Sequence, residues 1–190
     1  MSVLRAWHSL VQWVLKALGE WWSLIPDPTH PNRGPGPSVI WIGPLWILIH
    51  ARESEMASDY WDGNWLVTTV GCTQDASGAR IENDPFLRTE DLIRFRNQCV
   101  ELERSREGRA SLGCMDPYLD VEFQWLTSPD RIDVKASIQL PPDWEPQPIR
   151  LEFRTEDLPD LIADLDAALT RFPLRGRPDA GPTPELIPRG

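Results

Sequence analysis

Apolar and polar residues alternate with a period of two through the second half of the chain. Leu119, Val121, Phe123 and Trp125 share one side of a stretch whose other side carries Asp120, Glu122 and Gln124. Ile132, Val134, Ala136, Ile138 and Leu140 stand in the same relation to Arg131, Asp133, Lys135, Ser137 and Gln139. Because successive side chains of a strand point to opposite faces, this predicts strands over 118–126 and 131–140, each with one buried and one wet face. Residues 108–115 and 149–153 complete a run of four strands, with turns at Asp116-Pro117, at Ser128-Pro129-Asp130 and in the proline cluster 141–148. Upstream, 39–42 and 45–49 are β-branched and aromatic around Gly43-Pro44, which predicts two strands or one bent strand. Apolar residues on both sides of 45–49 imply that both its faces are covered. Residues 65–70 read as a strand, 74–78 as a hairpin turn, and 79–87 as a weaker returning strand broken by Pro85.

Helical spacing appears in three places. After residue 88, Leu92, Phe95, Cys99 and Leu102 fall on one face, with Thr89 as the expected cap, Glu90 and Asp91 at the positive end, and Gly108 as the stop. Near the C-terminus, Leu158, Leu161, Ile162, Leu165, Leu169 and Phe172 form a second stripe, and Pro159 lies in its first turn, where no hydrogen bond is lost. The third stripe, over 3–25, joins Leu4, Trp7, Val11, Val14, Leu18, Trp21 and Ile25 opposite Arg5, Ser9, Gln12, Lys16 and Glu20. Trp13, Leu15, Trp22 and Leu24 widen its apolar sector, so it must dock on the domain, on a partner, or as a peripheral contact on a membrane surface. Lys16 and Glu20 make it too polar for a membrane span, and it lacks the small-residue cleavage site of a signal peptide. An upstream translation start carried into the reading frame is a further reading.

The expected organisation is therefore an amphipathic N-terminal helix (1–25), a Pro/Gly-rich linker (26–37), one domain (38–172) and a disordered tail (173–190). The domain is α+β: an antiparallel β-sheet of five to eight strands with two helices packed on one face. Arg-Thr-Glu-Asp-Leu occurs at 88–92 and again at 154–158, each time between a strand and a helix. It reads as one cap used twice, with duplication of a strand-helix unit as the alternative.

Composition narrows the function. A formal charge of −10 and a pI near 4.7 disfavour a nucleic-acid binder and favour a basic partner. Cys72, Cys99 and Cys114 are odd in number and unpaired by spacing, which suits a reducing cytoplasm. His8, His30 and His50 stand apart from cysteines and carboxylates, so no metal or other cofactor is expected.

One stretch is dense in chemistry: Asp59-Tyr60-Trp61-Asp62-Gly63-Asn64-Trp65-Leu66. Asp-Gly and Gly-Asn reach left-handed conformations cheaply, so the segment reads as a turn feeding a strand. Trp61 and Trp65 are expected as core aromatics whose indole N–H groups are met by Asp62 and Asn64. The motif Tyr60-Trp61-Asp62-Gly63-Asn64-Trp65-Leu66 resembles the signature of the WapI family of bacterial immunity proteins, over about 39–172 of this chain. The resemblance implies a small cytosolic protein that binds and blocks its own secreted toxin, and it carries over no toxin-contact residue.

No phosphate loop, nucleophile elbow or paired-histidine motif is present, so carboxylates are the only candidates for chemistry. Asp59 with Asp62, and Asp120 with Glu122, fit solvated surface better than an acid–base pair, and they are the candidate partner-binding residues. The favoured reading is a non-enzymatic immunity protein against a polymorphic toxin, with a basic nuclease domain as the candidate toxin. The alternatives are an adaptor or subunit docked through its Trp-rich N-terminal helix, and a carboxylate hydrolase.

Overall fold

The computed structural model describes residues 38–73, 80–126, 131–139 and 145–178. The stretch 1–25, the linker 26–37, the turn at 74–78 and residues 179–190 lie outside the described residues. Contacts divide the chain into Met1–Pro31 and Asn32–Gly190, and everything below belongs to the second unit.

The strands are β1 (Ser38–Ile42), β2 (Leu45–Arg52), β3 (Trp65–Cys72), β4 (Arg80–Arg88), β5 (Arg109–Gly113), β6 (Leu119–Trp125), β7 (Arg131–Gln139) and β8 (Pro146–Arg154). Helix α1 (Thr89–Ser105) follows β4; a 3-10 turn (Thr155–Asp157) and helix α2 (Leu158–Arg171) follow β8. The α+β class holds, but the expected single sheet is two. β1-β2-β3-β4 form one antiparallel sheet and β5-β6-β7-β8 the other. Alternation shows which side of a strand is buried without showing its neighbour, and α1 carries the chain from one sheet to the other.

Nor do the helices share one face. Helix α1 packs on β5, α2 packs on β1, and the helices also touch each other, with Arg96 Nε 2.8 Å from Asp166 Oδ1. Each helix supplies an acceptor to the first strand of the opposite sheet. The Trp41 N–H donates to Asp164 Oδ2 at 3.1 Å, and the Ser111 N–H to Gln98 Oε1 at 2.8 Å. Backbone donors of both edge strands are thereby met by side chains instead of by another strand.

The chain is thus one ββββα plan used twice, and the repeated pentapeptide marks its hinge. Trp65 pairs with Arg88 and Leu66 with Leu87; at the matching positions Arg131 pairs with Arg154 and Ile132 with Phe153. In both units the Asp of the pentapeptide closes back on the strand end. The Arg88 N–H donates to Asp91 at 3.0 Å and the Arg154 N–H to Asp157 at 3.1 Å. The expected cap Thr89 instead lies inside α1, and its N–H donates to the Asn64 carbonyl at 3.0 Å. At the other end α1 stops before Gly108, with Arg106 in the left-handed conformation. The contacts are reciprocal too: Tyr118 packs on Phe86 of β4 at 5.4 Å, and a Cβ on Gly43 would lie 3.0 Å from the carbonyl of Glu152 in β8.

One core joins both sheets and both helices. Phe86, Phe95 and Phe123 are fully buried, Phe95 packs on Phe123 at a tilt with ring centroids 5.4 Å apart, and Phe123 meets Phe153 edge-on at 5.0 Å. Val39, Trp46 and Leu48 are buried on the opposite face of β1 and β2, as their apolar flanks predict. Gly71 makes room there, since a Cβ would sit 2.6 Å from the Trp46 ring. Pro85 does not break β4: it pairs with Val67 beside register shifts that absorb the missing donor. β8 begins inside the proline cluster, tolerated because it pairs only with β7 and its other edge needs no donors.

Candidate functional site

Between β2 and β3, residues 53–64 form a loop whose backbone is held at nearly every step. Buried Arg52 donates to the Gly63 carbonyl at 2.5 Å and to the carbonyl of Pro173. Asp59 Oδ1 accepts the N–H groups of Trp61 at 2.8 Å and Asp62 at 2.9 Å. Those amides, that of Asp62 first, hold its carboxyl below the usual carboxylate range. Gly63 is required, because a Cβ there would lie 2.5 Å from the Asp59 carbonyl.

Asn64 is fully buried and spends its whole amide on the fold. Its Nδ2 donates to the carbonyls of Tyr60 and Arg175, and its Oδ1 accepts the Arg175 N–H, all at 2.9 Å. The side chain thus pairs with the backbone of residue 175 as a neighbouring strand would. Arg175 returns the contact, its Nη1 donating to the carbonyls of Ser54 (3.2 Å), Glu55 (3.1 Å) and Ala57 (2.7 Å). Gly176 passes so near that a Cβ would lie 2.4 Å from the Tyr60 nitrogen. Residues 173–178, expected as the start of a disordered tail, are a strap across this loop. Their Pro and Gly content gives no periodicity, so sequence offers no signal for the partner of Arg175.

The motif starts a strand at Trp65 as expected, but its aromatics are placed otherwise. Trp61 is 45% exposed, touching Tyr60 edge-on at 5.3 Å. Trp65 is half-buried. It and Tyr60 take the Arg88 guanidinium between them, 5.3 and 5.1 Å from the two rings. Arg88 also donates to the Tyr60 carbonyl at 2.8 Å and pairs with Glu90 at 2.5 Å. Burial, and then the Glu90 carboxylate, push the Tyr60 hydroxyl above its ordinary range. Asn64 is therefore bound to the strap instead of to an indole, and Asp62 lies at the surface. The loop turns too tightly for period-two logic to place its rings.

Asp59 and Asp62 share this turn. Asp120 and Glu122 stand on the outer face of β6 in the second sheet, where Glu122 pairs with Arg109 at 3.1 Å and lies opposite Lys135. A cleft of about 1100 Å³ lies near the end of that sheet, lined by Glu103, Arg106, Trp125, Arg131, Arg154 and Glu156 among others. Its charges are mixed, and Arg154 is tied to Glu156 at 3.0 Å. Neither Trp61 nor Trp65 enters it.

His50 bonds Thr69 at 2.7 Å, and burial followed by the charge of Arg80 lowers its pKa. The three cysteines are free, and among the described residues no cluster of His, Cys, Asp and Glu could hold a metal. Among them, too, no helix is long and apolar enough to cross a membrane.

These features define an α+β protein with a repeated ββββα order, whose C-terminal strap clasps one elaborated loop. The chain belongs to the immunity protein WapI-like family, whose sequence model matches residues 43–173, from the β1–β2 turn to the first residue of the strap. No curated protein and no solved structure matches it.

Proposed function

We propose that this chain binds a cognate protein toxin in the cytoplasm and holds it inactive, and that the toxin domain is a basic nuclease. The observation that carries the reading is the family match over residues 43–173. Charge supports the choice of partner. A nuclease is cationic because its substrate is anionic, so a chain of net charge −10 is drawn to it and competes for the same surface. The disposition of carboxylates favours binding over chemistry. Asp91 and Asp157 close helix starts and Asp166 pairs with Arg96, while Asp62 and Asp120 stay exposed, available for contact. Blocking a cleft in this way needs no cofactor.

Co-expression with candidate toxin domains of the basic nuclease class tests this. Growth should be restored, and the purified chain should abolish plasmid cleavage at one equivalent, with an association rate that falls as salt rises. Undiminished cleavage in the presence of micromolar chain would sink the reading.

A further inference from the structure

The two ββββα units differ most where their second strand meets their third. Residues 126–130 make that connection in the second unit and 53–64 in the first. The longer loop is not needed to join two strands, since the shorter one does so at the equivalent place. Its backbone is nevertheless bound from below by Arg52, Asn64 and Arg175. Those bonds fix the loop without burying what it displays. Met56 is 93% exposed, Trp61 45%, and Leu174 on the strap 43%; they are three of the five large apolar side chains left exposed among the described residues. Glu53, Glu55, Asp59 and Asp62 belong to the same loop; Glu53 and Asp62 are exposed, while Asp59 holds the Trp61 and Asp62 amides. Arg175 is consumed by three carbonyls and by Glu55 at 3.7 Å, which leaves Arg177 as the exposed cation of the strap.

An indole held out on a rigid support loses little conformational freedom when it docks, and such aromatics dominate binding energies. We propose that Trp61, with Met56 and Leu174, anchors a protein–protein contact. The surface it fits is an apolar pocket for the indole, rimmed by Lys and Arg that face Glu53 and Asp62. This rests on the toxin-binding reading above and names the face that performs it. It places this loop ahead of the Asp120 and Glu122 face, where β6 presents Asp120, Glu122 and Gln124 and no apolar anchor.

The test uses the full chain and the toxin domain that it neutralises in the co-expression experiment above. Trp61→Ala should weaken binding about 30-fold or more while lowering the thermal midpoint by only a few degrees, because the indole is 45% exposed and its loss costs the fold chiefly the edge contact with Tyr60. Glu53→Gln with Asp62→Asn should slow association and flatten its salt dependence. Asp120→Asn with Glu122→Gln should change affinity less than about 3-fold, as rim charges do. Wild-type affinity in Trp61→Ala, or a larger loss from the Asp120 and Glu122 pair, would overturn this surface while leaving toxin binding intact. A wild-type chain that fails to bind the toxin would remove the parent reading, and this inference with it.

Discussion

Asn64 acts on residue 175 as one strand acts on the next, using a side-chain amide where a backbone would serve. Replacing it with Ala would leave the N–H and carbonyl of Arg175 and the carbonyl of Tyr60 short of partners inside the fold. The expected cost is about 2–4 kcal/mol, read as a lower urea midpoint with an unchanged slope. The motif predicted the turn, since Asp59, Gly63 and Asn64 are residues that turns need. The strap was illegible because Arg175 lies more than a hundred residues away in a stretch with no period. The thiols make a second case. Burial pushes Cys99 from 9.0 up to about 12 and Cys114 from 9.0 up to about 11. Each thiol ionises sooner in the unfolded chain than in the folded one. Their contribution to stability is therefore whole below pH 9 and falls as pH climbs from there toward those raised values. The slope approaches about 1.4 kcal/mol per pH unit for each thiol. Urea midpoints between pH 8 and 11 should show the fall, and Cys99→Ala should make it shallower.

Elements were easier to read than the pairings that join them. Alternation located β6 and β7 to within a residue or two, because one face of each is core and the other is water. The helix caps were found only to within a residue. Thr89 has the right chemistry for a cap, but the β4 ladder runs on through Arg88 and the carboxylate that answers the free N–H is Asp91. The same solution in the second unit is exposed, and this sets up a comparison. Asp91 is 7% accessible and also pairs with Arg94 at 2.6 Å, whereas Asp157 is open to solvent. Asp91→Ala should cost about 1–2 kcal/mol and Asp157→Ala about half of that or less, by denaturant unfolding of the two variants side by side. Equal losses would mean that the cap bond alone matters and its burial does not.

At the scale of the whole molecule, the two units exchange helices. Leu92, Phe95, Cys99 and Leu102 of α1 need β5 to cover them, and Leu158, Leu161 and Leu165 of α2 need β1. A half-chain ending at residue 107 keeps its sheet but loses the strand under its helix, so it should show no cooperative unfolding and no near-UV dichroism. The full chain should unfold in a single step, and mixing the two halves should restore the signal. Local patterning settled the class of fold, the faces of the strands, the two stripes of the helices and the turn that opens β3, because each is written in residues close together in the chain. Tertiary structure alone decided that there are two sheets, that each helix serves the other unit, and that Trp61 stays half in water while Asn64 does not. Those outcomes depend on which distant segment arrives, and side-chain periodicity holds no record of that.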